Sequence, residues 1–353
     1  MKTSSPPSTN LNGCYEAQSA LSLEQSEQPV SEITTASTLT KVTNPAQFNL
    51  LYVGPVTPEH RSSILSFCEQ VEQHHGHRIL SDQLRLDLQD ASATQPPVVA
   101  IAGHDSDIVA TALATRSNDG WTLEVVFQHD HSFPPAREVI NIAVKGILGE
   151  LSHLSHLRLT WWARAHDPWV EHVASGLGFS EHRRLHQMRL ALTSDIANRF
   201  RMSAAETRAF RLNADEEAWL AVNNSAFAAH EEQGGWSREQ LARRLEAPWF
   251  DAEDVRLHPV SGELNAFCWT KRHEADLHEP VLGEIYAIAV KPSVAGQGLG
   301  KQMVMAGFSH LADTGINIGM LYVDASNAAA MSLYESIGME VHHTDRAYLW
   351  TGS

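Results

Sequence analysis

Apolar residues become periodic only well into the chain. Residues 1–46 are rich in Ser, Thr, Pro, Gln and Glu and carry no sustained apolar period, which predicts a disordered tail. Ordered structure is expected to begin at Phe48-Asn49-Leu50-Leu51-Tyr52-Val53, and the apolar spacing predicts a helix from Pro58 through Val71. Much later, Glu284-Ile285-Tyr286-Ala287-Ile288-Ala289-Val290 reads as a strand. A glycine-rich turn, Ala295-Gly296-Gln297-Gly298-Leu299-Gly300-Lys301, leads from it into a helix. Leu321-Tyr322-Val323-Asp324 is a further short strand, followed by a helix with Ser326 as candidate N-cap that stops at Gly338.

The pattern occurs twice. A shift of 160 residues lays Glu284-Ile285-Tyr286 over Glu124-Val125-Val126, Asn327 over Asp167, and Ser336-Ile337-Gly338-Met339 over Gly176-Leu177-Gly178-Phe179. One constant register over some 55 residues favours an internal duplication. It predicts a first domain over 47–193, a linker over 194–206 and a second domain over 207–353. The copies have diverged where chemistry is expected: Gly296, Gly298 and Gly300 fall on Ala136, Glu138 and Ile140, and Tyr334 falls on Ala174.

Glycines at alternate positions let a backbone approach an anion, and the N–H groups opening the next helix point at it with the favourable end of the helix dipole. A phosphate-bearing ligand follows. The turn is not a nucleotide P-loop, which needs Gly five residues before Gly-Lys and Ser or Thr after it, where this chain has Ala295 and Gln302. It is not a dinucleotide fingerprint either, because the glycines are spaced by two throughout. It resembles the acyl-CoA loop of GNAT-superfamily N-acetyltransferases, with Ala295 where that family has Gln or Arg. Asn327, Ala330, Tyr334, Gly338 and Met339 match a second GNAT segment, with Met339 in the place of an aromatic. More specifically, Val222-Asn223-Asn224-Ser225-Ala226-Phe227-Ala228-Ala229-His230-Glu231-Glu232-Gln233-Gly234-Gly235-Trp236 resembles a signature of the actinobacterial mycothiol synthases. Phe267 to Lys271 and Leu282 to Tyr286 match the same family, and the resemblance is weaker in the first half.

The resemblance implies an α/β fold of mixed, α+β character: two tandem GNAT domains, each a mostly antiparallel sheet flanked by helices and splayed at the cofactor strand. It implies acetyl transfer from acetyl-CoA to the cysteinyl amine of cysteinyl-glucosaminyl-inositol. An α-amino group with a pKa of about 8 is mostly protonated at neutral pH, so a base is required. Glu284 is the expected base and Tyr334 the expected acid toward the departing thiolate. Ile288, Ala289 and Val290 would pair with the pantetheine arm. Ala295, Gly296, Gln297, Gly298, Leu299, Gly300 and Lys301 would hold the pyrophosphate, and Asn327, Ala328, Ala329, Ala330, Met331 and Ser332 would line the cofactor's other side. Asp82, Glu232, Lys271, Glu284 and Tyr322 correspond to substrate contacts, Asp82 being shorter than the Glu found there in the family. In the first half Val125, Val126 and Phe127 would bind acetyl-CoA non-productively, although the lost glycine turn argues for weak or no binding.

Composition agrees with a soluble enzyme. The 26 basic and 42 acidic residues leave a formal charge of −16, which disfavours generic nucleic-acid binding. No apolar run is long enough for a membrane span and no signal pattern opens the chain, so a cytoplasmic monomer is expected. Cys14, Cys68 and Cys268 make no disulfide framework, and the 20 histidines, including His74, His75, His77, His129 and His131, show no metal-ligand spacing, so no metal is expected. Two other functions remain open: acetylation of a different small-molecule or peptide amine, and non-catalytic CoA sensing.

Overall fold

The computed structural model describes residues 48–352 except 76–78, 90–95, 118–119, 129–134, 164–168, 229–233 and 278. The predicted tail lies outside the described residues. A first series of elements comprises β1 (Asn49–Pro55), α1 (Pro58–His75), α2 (Asp82–Gln89), β2 (Val98–His104), β3 (Asp107–Ser117), β4 (Gly120–Phe127), α3 (Pro135–Glu150), β5 (Arg158–Ala163), α4 (Trp169–Gly176) and β6 (Ser180–Ala191). A second comprises α5 (Ser194–Ser203), β7 (Arg208–Ala209), α6 (Glu216–Ala226), α7 (Arg238–Leu245), β8 (Val255–Val260), β9 (Glu263–His273), β10 (Leu282–Val290), α8 (Leu299–Asp313), β11 (Ile318–Asp324), α9 (Ala328–Glu335) and β12 (Glu340–Thr351).

The described strands form one sheet of twelve in the order β1-β2-β3-β4-β5-β12-β6-β11-β10-β9-β8-β7. Replacing each strand by its counterpart six strands away reverses this list into itself, so the order carries a pseudo-twofold between β12 and β6. Those two strands correspond end to end: Ser180 to Glu340 and Ala191 to Thr351 are both separations of 160. Two separate sheets were expected; the structure has one, because the halves exchange their last strands. The β12 strand pairs with β5, and β6 pairs with β11, while β6 and β12 pair with each other along nearly their whole length. The exchange removes two sheet edges that would otherwise present unpaired backbone groups.

Each half packs helices on both faces. In the second half, Phe200 of α5, Met303 and Phe308 of α8 and Tyr334 of α9 cluster with Cys268, Ile285, Leu321 and Met188 on one face. Trp219 of α6 and Leu241 of α7 cluster with Phe267, Trp269 and Ala287 on the other. The central strand β9 is accordingly a continuous buried run from Ala266 to Lys271 rather than an alternating one. Helix α8 lies close to the sheet because a glycine on each side leaves room: a Cβ on Gly307 of α8 would stand 2.5 Å from the Cys268 sulfur, and one on Gly319 of β11 would stand 2.6 Å from the Phe308 ring. Most of the predicted linker is α5, capped by Thr193, whose hydroxyl accepts from the Ile196 amide; its Phe200 stacks on Phe308 with ring centres 6.3 Å apart.

Candidate active site

The site is built around β10. Glu284 lies beside Lys271 of β9 on one side and Met320 of β11 on the other. Pairing with β11 ends at Ile285 and Leu321, whereas pairing with β9 continues to Val290 through an irregularity between Ile285 and Ala287. From that point β10 and β11 diverge. Ile288, Ala289 and Val290 thus keep one strand partner and present the other edge to the gap, where an amide-bearing chain can add like a strand. The turn stands further along the same strand, exposed, with Gly296 at φ 78° and Gly298 at φ 83°. These are conformations that glycine adopts without Cβ strain. Gly298 is the N-cap of α8 and supplies no side-chain cap, so the amides of the first turn, at Leu299, Gly300 and Lys301, are left for an anion. Lys301 donates to the Ser336 hydroxyl at 2.9 Å and ties the turn to the end of α9. Ala328, Ala329 and Ala330 give that helix a low, open surface.

The cap of α9 is Asn327 rather than Ser326. The Asn327 side chain accepts from the Ala330 amide at 3.1 Å, while the Ser326 hydroxyl donates to Asp324 at 2.6 Å. Asn327 therefore has a structural task whatever else it touches. Met331 is half-buried and Ser332 exposed on the same helix.

Glu284 and Tyr334 lie on opposite faces of the sheet and can meet only through the gap. Tyr334 belongs to the core beneath α8 and α9, is 9% exposed, and its hydroxyl makes no hydrogen bond among the described residues. Burial, and secondarily the nearby Cys268 thiol, pushes its pKa up to about 12. A phenol of that kind keeps its proton at any physiological pH. Glu284, also 9% exposed, accepts from His273 Nε2 at 2.7 Å when ionised, since a carboxylate can only accept.

On the Glu284 face, Lys271 is 2% exposed, its Nζ 4.5 Å over the Trp249 ring and 5.6 Å over Tyr286. Aromatic faces stabilise such a buried cation. The Tyr286 hydroxyl accepts from Arg244 Nε at 3.2 Å; Arg244 lies 3.8 Å over Trp236 and donates to Gln83 of α2 at 2.6 Å. The Asn-Asn to Gly-Gly-Trp spacing has a structural cause. Asn224 donates to the Trp236 carbonyl and accepts from its amide, both at 2.9 Å, closing the segment between them. Tyr322 is 39% exposed and shares this face two positions beyond Met320. Sequence, then, brought together Glu284, Lys271 and Tyr322. Glu232 lies outside the described residues; Asp82 begins α2, but its side chain is not among those described. His273, Arg244, Trp249 and Gln187 were missed. For His273 a signal existed, two positions after Lys271 and so on the same strand face.

In the first half β4 and β5 also pair over three residues only, Trp121 to Leu123 with Leu159 to Trp161. Among the described residues the other counterparts of the second-half site have different tasks. Ala136, Glu138 and Ile140 lie inside α3, which starts at Pro135. Glu124, the counterpart of Glu284, accepts from the Ser81 amide at 2.8 Å and from its hydroxyl, anchoring the start of α2. Val126 is buried and Val125 packs on the core, while Phe127 meets Trp169 edge-on at 4.7 Å, in the position that Ala329 occupies by the 160-residue shift. Burial pushes the Cys68 and Cys268 thiols up to about 12, which leaves both inert; Cys14 lies outside the described residues. Among the described residues no helix is long and apolar enough to cross a membrane, and no three His, Cys, Asp or Glu are grouped to hold a metal.

Two strand-exchanged halves, each splayed after three residues of parallel pairing and one bearing a glycine turn at an uncapped helix, define a tandem acetyltransferase of the GNAT class. Solved structures share the fold: a GCN5-related N-acetyltransferase from Sphaerobacter thermophilus matches with a TM-score of 0.57 and 15% identity, covering 86% of this chain and 95% of that one. A tandem GNAT protein from the clavulanic acid biosynthesis pathway matches at 0.55 and 11%, covering 87% and 99%. The FR47-like protein family matches residues 270–350. Mycothiol acetyltransferase of Acidimicrobium ferrooxidans is 35% identical over 290 residues, 81% of this chain and 93% of that protein. That of Streptomyces coelicolor is 32% identical over 299 residues, 84% and 93%. The chain belongs to the mycothiol acetyltransferase family.

Proposed function

We propose that this chain transfers the acetyl group of acetyl-CoA to the cysteinyl amine of cysteinyl-glucosaminyl-inositol, giving mycothiol and CoA. The observation that carries the proposal is the gap after Ile285, with Glu284 at its mouth on one face and the protonated Tyr334 on the other. The open β10 edge, the uncapped α8 N-terminus and the small α9 surface fit acetyl-CoA, which supplies the thioester there. Ile288, Ala289 and Val290 hold the pantetheine arm, Ala295 to Lys301 the pyrophosphate, and Asn327 to Ser332 the flank. Lys271, Tyr322, Glu232 and Asp82 contact the acceptor, whose many hydroxyls suit charged and phenolic partners. Glu284 takes the proton from the attacking amine, and His273, whose side chain is the more exposed of the two, holds the carboxylate in place by donating its Nε2 hydrogen to it. Tyr334 gives its proton to the departing thiolate. Holding both reactants at the gap contributes the larger share, because prepaid orientation is worth more than one proton transfer.

On this basis the enzyme is a cytoplasmic monomer built from domains 47–193 and 207–353. The buried Lys271 cage and the Arg244–Trp236 wall form a shaped acceptor side, which favours one small-molecule acceptor over amines at large and over CoA sensing. Purified protein incubated with acetyl-CoA should add one acetyl group, seen by mass spectrometry, to cysteinyl-glucosaminyl-inositol but not to glucosaminyl-inositol lacking the cysteine. Equal acetylation of both, or of neither, would refute the assignment.

A further inference from the structure

We propose that helix α2 of the first half is a positioning element for the acceptor side of the second, and that Gln83 is the positioning residue through which it acts. Gln83 holds Arg244, Arg244 holds the Tyr286 hydroxyl, and Tyr286 is one wall of the cage around Lys271. The inference rests on the assignment of the acceptor to the Glu284 face. Gln83 and Asp87, one helical turn apart, stand on the side of α2 turned to α7, whereas Leu84 and Leu88 face the core of the first half. The start of α2 is held from two directions. Glu124 of β4 accepts from the Ser81 amide and hydroxyl, and that hydroxyl accepts from the Leu84 amide at 3.2 Å. Glu72 of α1 accepts from the Ile79 amide at 3.0 Å and from Arg85 at 2.6 Å. By the 160-residue shift Glu124 stands where the second half has Glu284, so in the first half that carboxylate fixes a helix that reaches across to the other half.

A guanidinium can only donate and a carboxylate can only accept. Arg244 Nη2 donates to Gln83 Oε1 at 2.6 Å and Gln83 Nε2 donates to Asp87 Oδ1 at 2.8 Å, so the amide has one orientation. Asp87 in turn stands 3.6 Å from Arg243 Nη1, which joins the two helices at a second point. The Arg244 head is buried and held all round: 3.8 Å over the Trp236 ring, to the Gln240 carbonyl at 3.0 Å and to the Tyr286 hydroxyl at 3.2 Å. Tyr286 is the residue of β10 without an opposite number in β9, because Ile285 pairs with Thr270 and Ala287 with Trp269. Strand register fixes such an extra residue less than its neighbours, so side-chain contacts set its ring. Trp249 and Trp269 meet that ring at 5.1 and 5.4 Å, and Arg244 holds its polar end. Lys271 Nζ stands over both Trp249 and Tyr286, so a displaced Tyr286 moves the cation offered to the acceptor. Without the Gln83 oxygen, a buried N–H of Arg244 loses its acceptor and the guanidinium is driven to find another.

Gln83→Leu removes the acceptor with little change of volume, and because Gln83 is exposed while Leu84 and Leu88 carry the packing of α2, the first half should keep its fold. The expected result is an acceptor KM raised about tenfold, with kcat and the Kd for acetyl-CoA changed by less than about twofold. Gln83→Glu keeps an oxygen for Arg244, gives up the bond to Asp87, and should bring the acceptor KM back near the parent value. Tyr286→Phe removes the hydroxyl that Arg244 holds, and its combination with Gln83→Leu should be no worse than the worse single variant. An unchanged acceptor KM in Gln83→Leu, an equal rise in the acetyl-CoA Kd, no recovery in Gln83→Glu, or full additivity in the double variant would each overturn the inference alone. A parent protein that binds acetyl-CoA but leaves cysteinyl-glucosaminyl-inositol unacetylated would overturn the functional assignment and the inference with it.

Discussion

The proposed chemistry rests on two side chains whose environments differ more than their burial. Glu284 has a hydrogen-bond donor in His273, whereas Tyr334 sits in an apolar core that favours its neutral form. The raised phenol pKa fixes the sign of the pH dependence. Tyr334 is a competent donor below about 12, so kcat/KM should climb as the acceptor amine loses its proton near pH 8 and then stay level to pH 10 without an alkaline fall. Tyr334→Phe should slow transfer roughly 10- to 100-fold with acetyl-CoA binding kept, and an unchanged rate would remove it from the mechanism. Both candidates could be placed on their strand and helix from sequence because those elements carry strong local patterns. Gln187 could not be placed beside the site, since its partner Tyr322 lies 135 positions away and only strand exchange brings them together.

Among the elements, the turn before α8 and its missing counterpart before α3 are the clearest contrast. Gly296 and Gly298 have positive φ and open space around the place a Cβ would occupy, so a side chain there meets backbone strain rather than a clash. Gly298→Ala should cost about 1 to 2 kcal/mol of local strain in the left-handed region and weaken acetyl-CoA binding roughly tenfold, measured by calorimetry, with little change in acceptor KM. Equal binding would mean that the turn does not hold the cofactor. Glycine spacing made this element readable. The α5 helix was read as linker because its apolar content is slight; Ala197 and Phe200 are its buried anchors, and a contact made by so few side chains leaves little periodicity to detect.

At the scale of the whole molecule, duplication was visible as a constant offset, but its consequence was not. An offset shows that two halves share an order of elements; it does not show which half a strand pairs with, because β6 and β12 are of equal length and hold equivalent places in the two halves. Their exchange makes one sheet with two splayed gaps, of which only the second has a glycine turn and a small-residue flank. In the first, Phe127 and Trp169 meet where the cofactor flank would be. Titration of the protein with acetyl-CoA should therefore saturate at one molecule per chain, and two equivalent sites would contradict a blocking role for the Phe127–Trp169 contact in the first gap. The most direct test of the account is Glu284→Gln, assayed for acetyl transfer to cysteinyl-glucosaminyl-inositol with acetyl-CoA binding measured on the same preparation. The account predicts a loss of about 100-fold or more in kcat/KM with the acetyl-CoA Kd unchanged. Transfer within a few-fold of the parent would show that the proton leaves the amine by another route.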